Sequence, residues 1–333
     1  MKISIIGAGS FGTAVAAVAA RCGNEIVLWA HDPHVADEIE QTRRNPIYLQ
    51  SIALERNIRA TSSLAEAAEF SDVVFMIVPS HHYRSVLAQM RPHLRREIAI
   101  VSATKGIEND TLQRMSEVTA LELGGALRSF AVLSGPTFAL EMARGDPTAA
   151  VIASLDHVFA EEVQHALSSP TFRIYNSHDV TGVELAGSLK NVIAIAAGVI
   201  EGLGLGSNTT AALITRGLHE VTKLSVALGG RIETLSGLAG MGDLVLTCTG
   251  SLSRNRSVGV ALGQGKPLAQ ILSESRTVAE GVRTSKAAKE LAERHGIEMP
   301  ITAEMYRVLH HGESPRGALQ RLMTRSLKAE ATL

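Results

Sequence analysis

Three glycines near the amino terminus constrain this chain more than any other feature: Gly7, Gly9 and Gly12 stand at G-x-G-x-x-G spacing. The apolar stretch Lys2–Ile6 before them predicts a short buried strand, and the alanine- and valine-rich run from Phe11 predicts a helix. Each glycine then has a physical reason. Gly7 turns the chain off the strand, Gly9 lets the backbone approach a pyrophosphate, and Gly12 brings the helix close to the sheet. The free N–H groups at the helix start face an anion. Strand, turn and helix are all present, which is the context a dinucleotide-binding motif requires.

The next apolar runs extend this beginning into a sheet. Glu25–Ala30, Asp72–Val78, Ile98–Ala103, Phe130–Leu133, Ala149–Ala153 and Phe172–Tyr175 read as strands, with helical stretches such as Ser80–Met90 and Thr111–Leu123 between them. Continuous apolar strands alternating with helices predict an α/β fold with a Rossmann-type doubly wound sheet. From Thr181 onward the patterns are helical only, broken by glycine-rich turns. The chain's 333 residues have room for about two domains. The expected division is a dinucleotide-binding domain over 1–180 and an all-helical substrate-binding and catalytic domain over 181–333.

Several classes are disfavoured. A formal net charge of −1 without long runs of one sign argues against a nucleic-acid surface. The two cysteines, Cys22 and Cys248, form no C-x-x-C, which argues against a zinc ribbon or a disulfide framework. Met1-Lys2 leads straight into a strand and leaves no room for a signal peptide. Apolar stretches such as Val192–Ile200 read as too short and glycine-broken to span a bilayer. A cytoplasmic protein without stable membrane association is expected. His219-Glu220 begins an H-E-x-x-H that ends in Lys223, and His81-His82 and His310-His311 diverge on their helices, so no metal is expected. Gly265-Lys266 lacks the rest of a phosphate-binding loop.

Ligands of such sheets gather at the carboxyl ends of strands. After the second strand stand His31 and Asp32, the first suited to a 2′-phosphate and the second to a ribose hydroxyl. The cofactor stays open between NADP and NAD, with NADPH favoured. Lys105 and the turn Gly135-Pro136-Thr137 follow later strands, although Lys105 alone also reads as a solvated loop residue. In the helical part, Lys190 shares a helical face with positions 183, 186, 187, 194 and 197, all small or apolar. Burying an ammonium there demands a partner or a task, unless the side chain snorkels to solvent. Gly237-Leu238-Ala239-Gly240-Met241-Gly242 presses the backbone together and presents the Asp243 carboxylate. Ser253-Arg254-Asn255-Arg256 opens a helix with groups that suit a phosphate, or else forms a solvated basic turn.

Together these stretches resemble the bacterial NAD(P)-dependent glycerol-3-phosphate dehydrogenases over nearly the whole chain. The resemblance is carried by Asn45-Pro46-Ile47-Tyr48-Leu49, Lys105-Gly106-Ile107-Glu108, Ser134-Gly135-Pro136-Thr137-Phe138-Ala139 and Leu189-Lys190-Asn191. It continues in Gly240-Met241-Gly242-Asp243, Ser253-Arg254-Asn255-Arg256 and Val278-Ala279-Glu280-Gly281. It implies a helical domain like that of 6-phosphogluconate dehydrogenase, a homodimer, and interconversion of dihydroxyacetone phosphate and sn-glycerol 3-phosphate for phospholipid synthesis. It implies dinucleotide contacts from Ser10, Phe11, His31, Tyr48, Lys105, Ala139, Arg254, Val278 and Glu280. It implies substrate contacts from Lys105, Gly135, Thr137, Lys190, Asp243, Ser253, Arg254 and Asn255, with Lys190 as acid and base. His31 departs from the family's common Arg, Ser188 from an Ala and Gly250 from a Ser.

The expected chemistry follows from these residue types. A hydride from nicotinamide C4 reaches the ketone carbon, and Lys190 stabilises the developing negative oxygen and gives it a proton. Asp243 holds the ammonium, and Lys105 with partial burial lowers its pKa. Arg254 and Asn255 grip the substrate phosphate. Two rivals are a dehydrogenase of the same plan acting on a hydroxy acid or nucleotide sugar, and a non-catalytic dinucleotide sensor. Oxidation of an alcohol to an acid needs a thiol nucleophile, for which Cys248 is the candidate in the helical domain.

Overall fold

Strand β1 (Lys2–Ile6) begins the sheet and helix α1 (Ser10–Arg21) leaves it through the glycine turn. The computed structural model describes residues 1–94, 97–274, 279–327 and 329–330. The chain continues through β2 (Glu25–Trp29), α2 (Pro33–Thr42), β3 (Ile58–Thr61), α3 (Leu64–Phe70), β4 (Val73–Met76), α4 (Ser80–Met90) and β5 (Ile98–Ser102). After it come α5 (Met115–Leu123), β6 (Leu127–Ser134), α6 (Ala139–Arg144), β7 (Thr148–Ser154), α7 (His157–Leu167) and β8 (Phe172–Ser177). The strands form one sheet in the order β3-β2-β1-β4-β5-β6-β7-β8. Its first six strands have the Rossmann order, and the chain reverses beside β1, where β1 pairs with both β2 and β4. β6 and β7 pair antiparallel, whereas the other pairings are parallel.

The strands are apolar on both faces because both faces are covered. Ile3 and Ile5 of β1 join Leu28 and Phe75 in a core with α1, α2 and α7, while Ile6 joins Val27 and Met76 in a second core with α3, α4 and α5. This is the doubly wound arrangement, with burial of each large aliphatic side chain contributing about 1.5–3 kcal/mol. The short strand β3 (Ile-Arg-Ala-Thr) adds to the expected strands, since four residues on a sheet edge carry little apolar signal. The helix expected from Thr111 begins at Met115.

The chain folds into two compact units, one of residues 1–104 and 113–180, the other of residues 105–112 and 181–333. The stretch 105–112, expected in the first domain, thus belongs to the second unit, whose core contains Ile107 and Leu112. The remaining helices are α8 (Val180–Gly202), α9 (Ser207–Ala227), α10 (Ile232–Ser236), α11 (Asp243–Thr249), α12 (Arg254–Gly263), α13 (Leu268–Glu274), α14 (Glu280–Arg294), α15 (Pro300–His311) and α16 (Pro315–Met323). No strand follows β8 among the described residues.

α8 corrects one expectation. Val192–Ile200 is only part of a helix of 23 residues, long and apolar enough to cross a membrane by length and composition. The apolar window of α8 is wholly buried within the fold, so α8 reads as a core helix. Its burial, rather than a short length, is what accounts for its apolar surface.

Candidate active site

In the sheet unit, the glycine turn has the geometry its spacing predicts. Gly7 has φ +123°, and a Cβ there would lie 2.4 Å from the Ile77 carbonyl oxygen. A Cβ on Gly12 would lie 1.8 Å from the Gly7 oxygen, so only glycine lets α1 approach. A Cβ on Gly9 would meet nothing within 4 Å, which leaves the backbone there open to a ligand. Gly9 is the N-cap of α1 and no side chain caps that helix end, so the residues suit a pyrophosphate. Ser10 and Phe11 form the first turn.

Asn45, 1% exposed, ties the next candidate to this turn. Its Nδ2 donates to the Ala8 carbonyl at 2.9 Å and to Thr13 Oγ1 at 3.0 Å. Its Oδ1 accepts from the backbone amides of Ile47 and Tyr48, at 3.1 and 2.9 Å. Tyr48 is thereby anchored through Asn45, a role that the Asn-Pro pair signals only as a turn. His31 is exposed, with its ring 5.8 Å from that of Trp29. Asp32 Oδ1 caps α2 by accepting from the His34 amide at 2.9 Å, which gives that carboxylate a structural task. Gly135 has φ +152° and lies so close to β7 that a Cβ would come within 2.9 Å of the Ala150 α-carbon. Thr137 Oγ1 donates to the Gly135 carbonyl at 3.1 Å, and Ala139 starts α6.

In the helical unit two ammoniums meet on one carboxylate. Lys190 Nζ donates to Asp243 Oδ1 at 2.6 Å and to Thr247 Oγ1 at 2.6 Å, while Lys105 Nζ donates to Asp243 Oδ2 at 2.7 Å. Lys190 is 5% exposed and Asp243 2%, so the snorkelling alternative fails. Lys105 is half-buried against Asp243 and is not merely a solvated loop lysine. Thr247 is an addition to the expected residues: it lies one turn beyond Asp243 on α11, donates to the Asp243 carbonyl at 2.6 Å, and accepts from Lys190. The glycine-rich run before Asp243 forms a π-helical turn, Leu238–Gly242, where a Cβ on Gly240 would lie 2.1 Å from the Leu235 oxygen. Burial pulls the Lys190 ammonium down to about 8, against the pull of Asp243 and aided by Lys105. The same interior pushes the Cys248 thiol up to about 12. It is a protonated thiol at neutral pH, unsuited to nucleophilic attack.

The Ser253–Arg256 cluster separates in space. Ser253 Oγ caps α12 by accepting from the Arg256 amide at 3.3 Å. Arg254 is exposed at the start of α12. Asn255 is buried and bonded to Asn191 and Gly281, and Arg256 is turned onto Glu201. Arg256 thus has an ion-pair partner of its own. Glu280 begins α14, and Val278 lies outside the described residues.

A Rossmann-type sheet with this turn, together with a helical unit built around a buried lysine, defines a dinucleotide-dependent oxidoreductase of two-domain plan. The family model for the NAD-dependent glycerol-3-phosphate dehydrogenase N-terminus matches residues 2–160, and that for its C-terminus matches 179–320. The glycerol-3-phosphate dehydrogenase [NAD(P)+] of Geobacter sulfurreducens is 52% identical over 330 residues, covering 99% of this chain and 98% of that protein. The same-named protein of Koribacter versatilis is 51% identical over 335 residues, covering 100% and 99%. The crystal structure of a glycerol-3-phosphate dehydrogenase from Coxiella burnetii superposes with a TM-score of 0.94 at 40% identity, covering 97% of this chain and 99% of that one. The chain belongs to the NAD(P)-dependent glycerol-3-phosphate dehydrogenase family.

Proposed function

We propose that the protein reduces dihydroxyacetone phosphate to sn-glycerol 3-phosphate, reversibly, with NADPH or NADH, and so supplies phospholipid synthesis. The observation that carries the reading is Lys190, buried, held by Asp243 and Thr247, and tuned to about 8. An acid with a pKa near the working pH can both hold and release a proton, which contributes about 10²–10⁴-fold to rate. Gly7, Gly9, Ser10, Phe11, Gly12, His31, Tyr48 and Ala139 of the sheet unit would hold the dinucleotide, which when bound would supply a hydride. Lys190 gives its proton to the ketone oxygen as negative charge develops there. Lys105 adds a second positive charge, and Asp243 keeps both ammoniums aimed.

Arg254, Ser253 and the N–H groups opening α12 hold the substrate phosphate. Binding the remote phosphate positions the carbonyl carbon for transfer. The protonated Cys248 weighs against oxidation of an alcohol to an acid, and a sensor has no use for a tuned buried lysine. We further read the protein as a homodimer, as the resemblance implies, and as cytoplasmic. Loss of NADPH absorbance with dihydroxyacetone phosphate, and recovery of sn-glycerol 3-phosphate, tests the reading. Turnover of a hydroxy acid or nucleotide sugar, with none of dihydroxyacetone phosphate, overturns it.

A further inference from the structure

The stretch between α2 and β3, residues 43–57, is fastened to α1 at both ends of that helix. At the far end Arg21 pairs with Glu55 at 2.6 Å, and Asn57 Nδ2 donates to the Ala20 carbonyl at 2.8 Å. Between them Ile52 and Leu54 sink into the core that α1 shares. At the near end, beside the glycine turn, the Asn45 side chain makes the fastening.

The chemistry of Asn45 suits this place. The Ile47 and Tyr48 amides can only donate and the Ala8 carbonyl can only accept, so the side-chain amide has a single orientation. Both Nδ2 hydrogens and both Oδ1 lone pairs are used, in a site too buried for water to replace a lost bond. Ala8 stands between Gly7 and Gly9, and the Thr13 amide closes the first turn of α1 on the Gly9 carbonyl at 2.9 Å. Asn45 thus grips the backbone of the turn on two sides. On its other side it holds a bent segment. Directly after Tyr48 the chain passes through Leu49 at φ +53°, a left-handed conformation that non-glycine residues rarely adopt. Such a bend persists only where its surroundings hold it. The Asn45 bonds do so before it, and the Ile52 amide, donating to the Leu49 carbonyl at 2.8 Å, does so after it.

We infer that Asn45 is a positioning residue for the dinucleotide, whose side chain locks the glycine turn and the Tyr48 segment into one preformed clasp. A clasp built before the ligand arrives spares the cost of ordering it on binding, and so sets affinity. The inference rests on the reading of the glycine turn and Tyr48 as dinucleotide contacts.

The test is a double-mutant cycle on Asn45→Ala and Tyr48→Ala, read as the Kd for NADPH by fluorescence titration without substrate. Each single variant should weaken NADPH about ten- to a hundredfold. In the Tyr48→Ala background the effect of Asn45→Ala should shrink at least about threefold, because part of what Asn45 positions is already gone. A merely structural role costs the same factor with or without the Tyr48 ring. Factors that multiply therefore overturn the inference, as does an Asn45→Ala protein that binds NADPH like wild type. Should Asn45→Ala not fold, Thr13→Val decides. It removes one bond of the bridge at nearly constant volume and should weaken NADPH about three- to tenfold, a loss that should likewise shrink beside Tyr48→Ala. No loss, or an undiminished one, overturns the inference. Failure of the underlying reading shows separately, as Tyr48→Ala alone binding NADPH like wild type, and the inference falls with it.

Discussion

Lys190 and Asp243, 53 residues apart in sequence, form a buried ion pair with Nζ 2.6 Å from Oδ1. A buried pair of this kind adds little net stability compared with apolar packing. Its use is chemical: the carboxylate keeps an ammonium in an interior that would otherwise deprotonate it.

That balance gives a pH profile with a definite sign. Burial pulls Lys190 down to about 8, so the protonated form dominates below that pH and the neutral amine above it. Ketone reduction consumes the proton, and kcat for dihydroxyacetone phosphate should fall as pH rises through about 8. Oxidation of sn-glycerol 3-phosphate needs the neutral amine and should rise over the same range. Asp243→Asn removes the countercharge from both lysines, so the reductive limb should move to lower pH. Steady-state rates in both directions, from about pH 6 to about pH 10, check this.

Arg254 and Arg256 lie two residues apart and should behave differently. Charge-assisted hydrogen bonds are worth roughly 1.5–3 kcal/mol each, so Arg254→Ala should cost about tenfold to several hundredfold in kcat/KM for dihydroxyacetone phosphate. Arg254→Lys keeps the charge without the fork and should recover part of the loss. Arg256 is paired with the half-exposed Glu201, and Arg256→Ala should change that kcat/KM by less than about threefold.

How far the sequence could be read follows the range of each signal. The glycine turn, the buried strands and the helical second half are local patterns, and they are found where the residues predict them. β3 is too short and polar to stand out, and the antiparallel turn of β7 leaves no mark on an apolar run. The lysine on a small-residue face signals that Lys190 needs a partner, but that Asp243 is shared with Lys105, 138 residues away, is a tertiary fact. The Ser253–Arg256 letters signal a polar helix start, but the Asn255 bonds to Asn191 and Gly281 and the Arg256 pair with Glu201 are tertiary facts. Thr247 carries no local signal beyond lying one turn from Asp243.

Glu220 makes a separate prediction about stability. It is 3% exposed and accepts from the amides of Ile301 and Thr302 and from Thr302 Oγ1, at 2.6, 3.1 and 3.1 Å. Burial raises its carboxyl from 4.5 to about 7 despite those bonds. Between these values the folded protein keeps a proton that the unfolded chain has lost, so this group's contribution declines as pH rises through the window. The slope of Tm against pH from about 5 to about 7 should be more positive in Glu220→Gln than in wild type, because the declining contribution of this group is removed.

The contact of α8 with α12 predicts intolerance to one added methyl. A Cβ at Gly259 meets backbone, which cannot swing aside as a side chain can. Gly259→Ala should destabilise by about 1–3 kcal/mol or more, since overpacking forces backbone shifts. Gly265→Ala is the wrong control because its φ is +91°, whereas Gly125, with nothing within 4 Å of a Cβ, should tolerate alanine. Denaturant midpoints of the Gly259→Ala and Gly125→Ala variants make the comparison.

The most direct test of the proposed mechanism is kcat of Lys190→Met with NADPH and dihydroxyacetone phosphate, measured beside NADPH affinity by titration. Methionine keeps the length of the side chain and removes its proton and charge. Loss of proton transfer alone is worth about 10²–10⁴-fold, and loss of charge stabilisation adds to it. The predicted result is a folded protein that binds NADPH normally and turns over at least about a hundredfold more slowly. A folded Lys190→Met variant with turnover close to wild type would contradict the assignment of Lys190 as the acid.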